Sequence, residues 1–354
     1  MLYRENGQFK STYVADQQML PILQDRVFMV LLLAFAFVGV PLLASDYLFL
    51  SLLIPFLILT LAAIGLNILV GYCGQISIGH AAFMAVGAYA AYNFVLRVPQ
   101  LNFLVVLVLA GLIAAAAGVL FGIPSLRIKG LYLAVATLAA QFFMDWLFAR
   151  VKWFTNYAPS GSVSPATIEL FGWKVESPAE KYLFLLGILV AFTLAAKNLV
   201  RSHIGREWMA MRDMDVAAEV IGIRPVYAKL TAFAVSAFYC GVAGALWGFV
   251  YLGSWEPLAF NLNLSLNLLF MIIIGGMGSL LGSYFGAAFI VGLPILLDQV
   301  PQLLGVPLST ADSAHLALMI FGSLIVFFLI VEPHGLARLW AIGKEKLRLW
   351  PFPH

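Results

Sequence analysis

A chain of 354 residues that is 63% apolar, only 10% charged and of net charge +3 lacks the surface of a water-soluble domain, in which about a quarter of residues are charged. So slight a positive excess gives no footing for a nucleic-acid partner, and two cysteines are too few for a disulfide framework or a cysteine-rich metal site. Apolar runs of about 18 residues or more recur along the sequence, each able to cross a hydrocarbon core about 30 Å thick as a helix. A bilayer offers no water to exposed backbone groups, which leaves helices or closed barrels, and these runs are too long for barrel strands. The expected fold is an all-α polytopic membrane protein.

In chain order, residues 1–26 are polar and of mixed charge and read as a soluble, cytoplasmic lead-in. About ten candidate spans follow, at 27–44, 47–70, 80–96, 101–122, 131–149, 181–197, 231–252, 264–279, 281–298 and 314–331, and a cytoplasmic tail occupies 335–354. Cytoplasmic loops carry the excess of Lys and Arg. With both termini cytoplasmic, fifteen of the 20 basic residues fall on inner segments. "AGLIAAAAG" (110–118) and "GVAGALWG" (241–248) are small-residue runs that let helices approach closely. Asn67, Asn263 and Asn267 suit hydrogen bonds between helices.

Four segments interrupt the pattern. "GYCGQISIGHAAF" (71–83) places Gly71, Gly74 and Gly79 in a hydrocarbon setting. Irregular backbone at membrane depth is tolerated only inside protein or along a wet cavity. The stretch reads either as a broken helix, whose free N–H groups and carbonyls meet the ends of a zwitterionic solute, or as a tight turn with Gln75 and His80 capping helix ends. No second His or carboxylate at ligand spacing accompanies His80, so no metal site is expected. "GGMGS" (275–279), with Gly275, Gly276 and Gly278, is an echo of the first break and suggests two half-units facing each other across a pathway. Gln75, Ser77, His80 and Asn267 are then the candidates to line it. The loop 150–181, rich in Pro, Gly and Ser, is placed outside, as a landing surface or a plain connector. The inner loop 198–230 is a charged island in which Trp208, Met211, Val216 and Val220 make an apolar stripe. That stripe predicts one amphipathic helix over 205–221, stopped by Gly222 ahead of Pro225. Such a helix lies in the lipid interface or docks in a partner's groove.

"GREWMAMRDMDVAAEVIGIRPVYAKLTAFAVSAFYCGVAGALWG" (205–248) resembles the cytoplasmic loop and following span of ABC importer permeases of the branched-chain amino acid class. "GLNILVGYCGQISIGHAAFMAVGAYAA" (65–91), "RIKGLYLAVATLA" (127–139), "GGMGSLLGSYFGAAF" (275–289) and "VEPHGL" (331–336) resemble further blocks of that family in the expected order, and the M-type permease is the nearest kind. The resemblance implies that Gly205, Arg206, Arg212, Asp215, Ala217, Ala218, Glu219 and Gly222 engage an ATPase, whose closure drives alternating access. It also implies the partners: a second, H-type permease, two ATP-binding subunits and a periplasmic substrate-binding protein, assembled at a bacterial inner membrane. Relatives of this kind also carry urea, short amides or aromatic acids. The chain has no G-x-x-x-x-G-K-[ST] loop. It is therefore expected to be a non-enzymatic subunit without a cofactor of its own, ATP and Mg residing on the partner ATPase. An ion-coupled transporter would need an embedded relay, for which Asp145 and Asp298 are poor candidates. A membrane enzyme would need a converging acid–base set, and none is seen.

Overall fold

Each of the ten apolar runs folds into a helix in the computed structural model, which describes residues 12, 23–127, 130–158, 161–165, 168–170, 173–303, 310–331 and 335–349. Most of the lead-in 1–26, part of "VEPHGL" (332–334) and the side chain of Asp298 lie outside the described residues. The first six helices are α1 (Gln24–Leu43), α2 (Asp46–Tyr72), α3 (His80–Arg97), α4 (Phe103–Gly122), α5 (Leu131–Arg150) and α6 (Pro178–Arg201). The charged loop holds α7 (His203–Asp213) and α8 (Asp215–Val220). Then come α9 (Pro225–Leu252), α10 (Leu262–Gly275), α11 (Leu280–Leu303), α12 (Thr310–Val331) and α13 (Gly335–Leu349). Two expected bounds shift for local reasons. The span expected from 231 begins at Pro225, whose fixed φ suits a first helical turn. The span expected to reach 279 stops at Gly275, because Gly276 and Gly278 have φ of +126° and +77°.

Eight of the described helices are long and apolar enough to cross a membrane. α3, which carries His80, Asn93 and Arg97, is not among them and lies at the centre of the bundle. Thirteen of its residues are buried, among them His80, Tyr89 and Asn93, and α4, α5, α9 and α10 pack around it. The two small-residue runs meet each other here. Gly241 of α9 rests on Ala114 of α4, where an added Cβ would stand 2.3 Å from the alanine methyl. On the other side of α9, Gly244 lies against the Met84 carbonyl of α3 so closely that a Cβ would come within 1.9 Å of it. Overpacking a contact of this kind costs about 1–3 kcal/mol or more, so the three central helices are locked by their small residues.

The two ends of the bundle differ. One carries α7 and α8, the α10–α11 turn and α13, and there Lys344 of α13 pairs with Asp25 of α1 at 2.8 Å. The opposite end is covered by the described parts of the 151–177 segment. Val163 pairs antiparallel with Trp255, just past α9, and Glu169–Leu170 forms a two-residue ribbon with Trp173–Lys174. Arg97, at the end of α3, sits over the Trp153 ring at 3.8 Å. A Ser177–Glu180 capping box then starts α6.

Candidate functional site

α2 closes on a glycine C-cap. Gly74 takes φ of +71°, its N–H donates to Val70 O (3.2 Å), and the Gln75 N–H reaches back to Leu69 O (3.1 Å) around the widened turn 68–72. The chain then runs without regular structure to His80. This break touches the one between α10 and α11. Asn67, fully buried one turn before the end of α2, accepts from the Gly278 N–H (2.8 Å) and donates to Ser279 O (2.8 Å) and Ser283 Oγ (3.0 Å). Gly71 has to be glycine at this junction, since a Cβ there would lie 2.2 Å from Gly278 N. The two breaks thus meet in direct contact, with Asn67 filling the junction, instead of facing each other across open space as their echo suggested.

Arg212 of α7 completes the junction. Its Nη1 donates to Gly71 O at 3.0 Å, and its side chain covers both Gly74 and Gly278, with Asp213 holding the other edge of the guanidinium at 2.9 Å. Gly71, Gly74 and Gly278, expected to shape the backbone breaks, and Arg212, expected to engage an ATPase, therefore occupy one site. Gly275 and Gly276 border it, and Gly275 packs on the Gly282 carbonyl. Gly79 sits apart, with its α-carbon against the Thr137 carbonyl.

His80 opens α3 inside the bundle. Its Nδ1 is 2.9 Å from Ser77 Oγ and its Nε2 is 2.8 Å from Ser236 Oγ, eleven residues along α9 from Pro225. That distance is about 16 Å of helix. Three amides at the start of α3 and just before it have side-chain partners. Ile78 N–H donates to Thr137 Oγ1 (3.0 Å), Ala81 N–H to Ser265 Oγ (2.8 Å) and Ala82 N–H to Gln141 Oε1 (2.7 Å). Gln141 in turn donates to Asp145 and to Phe260 O. Side chains of α5 and α10 thus cap this helix end. Gln75 reaches only its neighbour's carbonyl, Cys73 O, at 3.5 Å, and Asn267, half-buried on α10, takes no part in this network. Ser265, two residues earlier, does. Sequence reasoning passed over Thr137, Gln141, Ser236 and Ser265; the available signal was a small number of polar residues inside otherwise apolar runs.

The charged loop holds two helices where the sequence predicted one. Met214, at φ −157° and ψ 95°, breaks the chain between α7 and α8. The expected stripe consequently divides: Trp208 and Met211 are buried, whereas Val216 and Val220 are 67% and 82% exposed. Trp208 donates from Nε1 to Thr231 Oγ1 of α9 (3.1 Å), and Gly205 seats α7 on the Val200 carbonyl. Ala218 is buried and Ala217 is exposed. Gly222, at φ +94°, ends α8. Outside lies an apolar patch of Met214, Val216, Val220 and Ile221 beside Arg206, Glu219 and Arg224. Asp215, at the first turn of α8, is half-buried. Apolar patches rimmed by charge mark protein-interaction surfaces.

Residues 48–329 match the family model described as the branched-chain amino acid transport system permease component. The chain is similar to the high-affinity branched-chain amino acid transport system permease protein LivM of Escherichia coli, at 31% identity over 307 residues. It is 30% identical over 307 residues to that of Salmonella typhimurium; each match covers 79% of this chain and 68% of the relative. The probable branched-chain amino acid transport permease protein LivM of Methanocaldococcus jannaschii is 21% identical over 316 residues, covering 78% of this chain and 89% of the relative. No solved structure matches.

Proposed function

Because the chain belongs to the family of branched-chain amino acid transport system permease components, we propose that it is one of two membrane subunits of an ATP-driven bacterial importer. It passes branched-chain amino acids from a periplasmic binding protein across the inner membrane by alternating access. ATP and Mg stay on two partner ATPase chains, and an H-type permease completes the pathway. The single observation that carries the mechanism is the reach of Arg212 from α7 to both glycine breaks.

In this mechanism the ATPase grips the exposed face of α8 and the end of α7. Its closure shifts α7, and Arg212 carries the shift to Gly71 and Gly278. Asn67 makes the two breaks move as a unit, so that the end of α2 and the start of α11 respond together. Glycine at the junction supports the reading, since backbone there is in contact with backbone and a small displacement is felt directly.

The test is reconstitution in proteoliposomes with the candidate H-type permease, ATPase and binding-protein chains. Uptake of labelled leucine is expected to require ATP and the binding protein and to stop with a hydrolysis-dead ATPase. Uptake that persists with the dead ATPase would overturn the reading. Retention of urea, a short amide or an aromatic acid by the cognate binding protein would overturn the assigned substrate.

A further inference from the structure

Among the described residues, three buried side-chain atoms lack a hydrogen-bond partner, namely Tyr89 Oη, Asn93 Oδ1 and Trp255 Nε1. All three lie in one place, at the end of the bundle away from α7 and α8. Tyr89 and Asn93 are one turn apart on the same face of α3, and Trp255 follows α9 with its ring 6.3 Å from Tyr89 and 6.2 Å from Tyr92. The three residues are 0%, 7% and 3% exposed. Asn93 already spends its Nδ2 on Tyr89 O (2.8 Å) and Phe154 O (3.1 Å), which leaves only its carbonyl oxygen unmet. A buried polar group without a partner costs about 1–3 kcal/mol. Elsewhere in the same helix bundle such groups are paired: His80 with two serines, Gln141 with four neighbours and Asn67 with three.

The three atoms have complementary characters. Asn93 Oδ1 only accepts, Trp255 Nε1 only donates, and the Tyr89 hydroxyl does either. An α-amino acid offers the matching pair of ends: its ammonium donates to Asn93 and its carboxylate accepts from Trp255. The surroundings suit an aliphatic side chain. Phe148 stacks on Tyr89 at 4.5 Å, and Phe249 lies 5.6 Å from Trp255. The Val163 backbone pairs with that of Trp255 at 2.9 and 3.0 Å and covers the cluster from the loop side.

We propose that Tyr89, Asn93 and Trp255 form a subsite that holds the zwitterionic head of an α-amino acid and lays its aliphatic side chain on the aromatic rings. The inference rests on the importer reading above, and its test separates the two. In the reconstituted complex, a diazirine analogue of leucine is photolysed during turnover and its adducts mapped, beside leucine uptake by Tyr89→Phe and Trp255→Phe. Adducts are expected on the peptides holding Tyr89 or Trp255. Each variant is expected to lose about tenfold in uptake, the scale of one lost hydrogen bond to a charged end, while co-purification of the ATPase and its stimulation by loaded binding protein persist. Adducts elsewhere, or wild-type uptake in both variants, would overturn the subsite and leave bound water as the partner of the three atoms. If a variant fails to assemble, the adduct map of the unaltered complex decides. Absence of any ATP-dependent uptake by that complex would refute the importer reading instead.

Discussion

Arg212 joins α7 to two glycine breaks through a hydrogen bond to Gly71 O and a covering contact on Gly74 and Gly278. Hydrogen bonds from a charged donor contribute about 1.5–3 kcal/mol. Arg212→Ala is therefore expected to keep ATPase co-purification but to cut leucine uptake per ATP hydrolysed by tenfold or more. Arg212→Lys is expected to recover only part of it, because an ammonium lacks the planar fork that reaches Gly71 O while holding Asp213. Uptake and hydrolysis measured in the same proteoliposomes check this, and an unchanged ratio in Arg212→Ala would remove Arg212 from the coupling route. Gly71, Arg212 and Gly278 each stood out in the sequence, but their meeting did not. A helical or turn pattern reports on neighbours three or four residues away, whereas Arg212 and Gly71 are 141 residues apart. Asn67 was legible as an interhelical hydrogen-bonding residue, and the structure supplies the partners. The capping roles of Gln141 and Ser265 left only a weak trace, a polar residue in a run of apolar ones.

At the scale of elements, the charged loop shows how periodicity misleads where a chain bends. Trp208, Met211, Val216 and Val220 keep helical spacing throughout, yet the extended backbone at Met214 resets the direction of the second helix. One half of the stripe is buried against α9 and the other half faces out. This divides residues that the family resemblance groups together. Gly205 and Ala218 act by packing, while Arg206, Ala217 and Glu219 stand on the open surface. Ala217→Glu is accordingly expected to abolish ATPase co-purification and leave insertion and thermal stability of the permease unchanged. Ala218→Glu places a charge at a 2%-exposed site and is expected to destabilise the loop itself, since an unpaired buried charge costs several kcal/mol. Co-purification with thermal unfolding of the purified permease distinguishes the two. Equal behaviour of both variants in both assays would mean that α8 does not present the face described here. The span helices were more legible than this loop because a hydrocarbon-length apolar run admits one local structure, although α3 shows that a central helix need not be the most apolar.

For the whole molecule, the two ends of the bundle give an orientation that labelling can read. The Lys344–Asp25 pair brings the described start of α1 and the C-terminal helix α13 together, and Gly335 lies against Ile274 and Gly276 beside the Arg212 junction. Residues near both ends of the described chain therefore share a face with α7 and α8, whichever way the bundle sits in a membrane. We infer from the distribution of Lys and Arg that this face is cytoplasmic, as the proposed docking of an ATPase on α8 requires. Tyr157, 68% exposed, lies at the opposite end. Cys73 and Cys240 are both buried, so the natural thiols give little background to a water-borne reagent. Ala217→Cys and Lys346→Cys are expected to resist a membrane-impermeant maleimide in intact spheroplasts and to react in inverted vesicles, and Tyr157→Cys to do the reverse. If the first two sites respond differently from each other, the shared face drawn from Lys344 and Gly335 is wrong. If all three patterns are inverted together, the fold stands and the charge-based orientation fails. The second outcome would also remove the importer mechanism, because the docking face of α8 would then be cut off from cytoplasmic ATP.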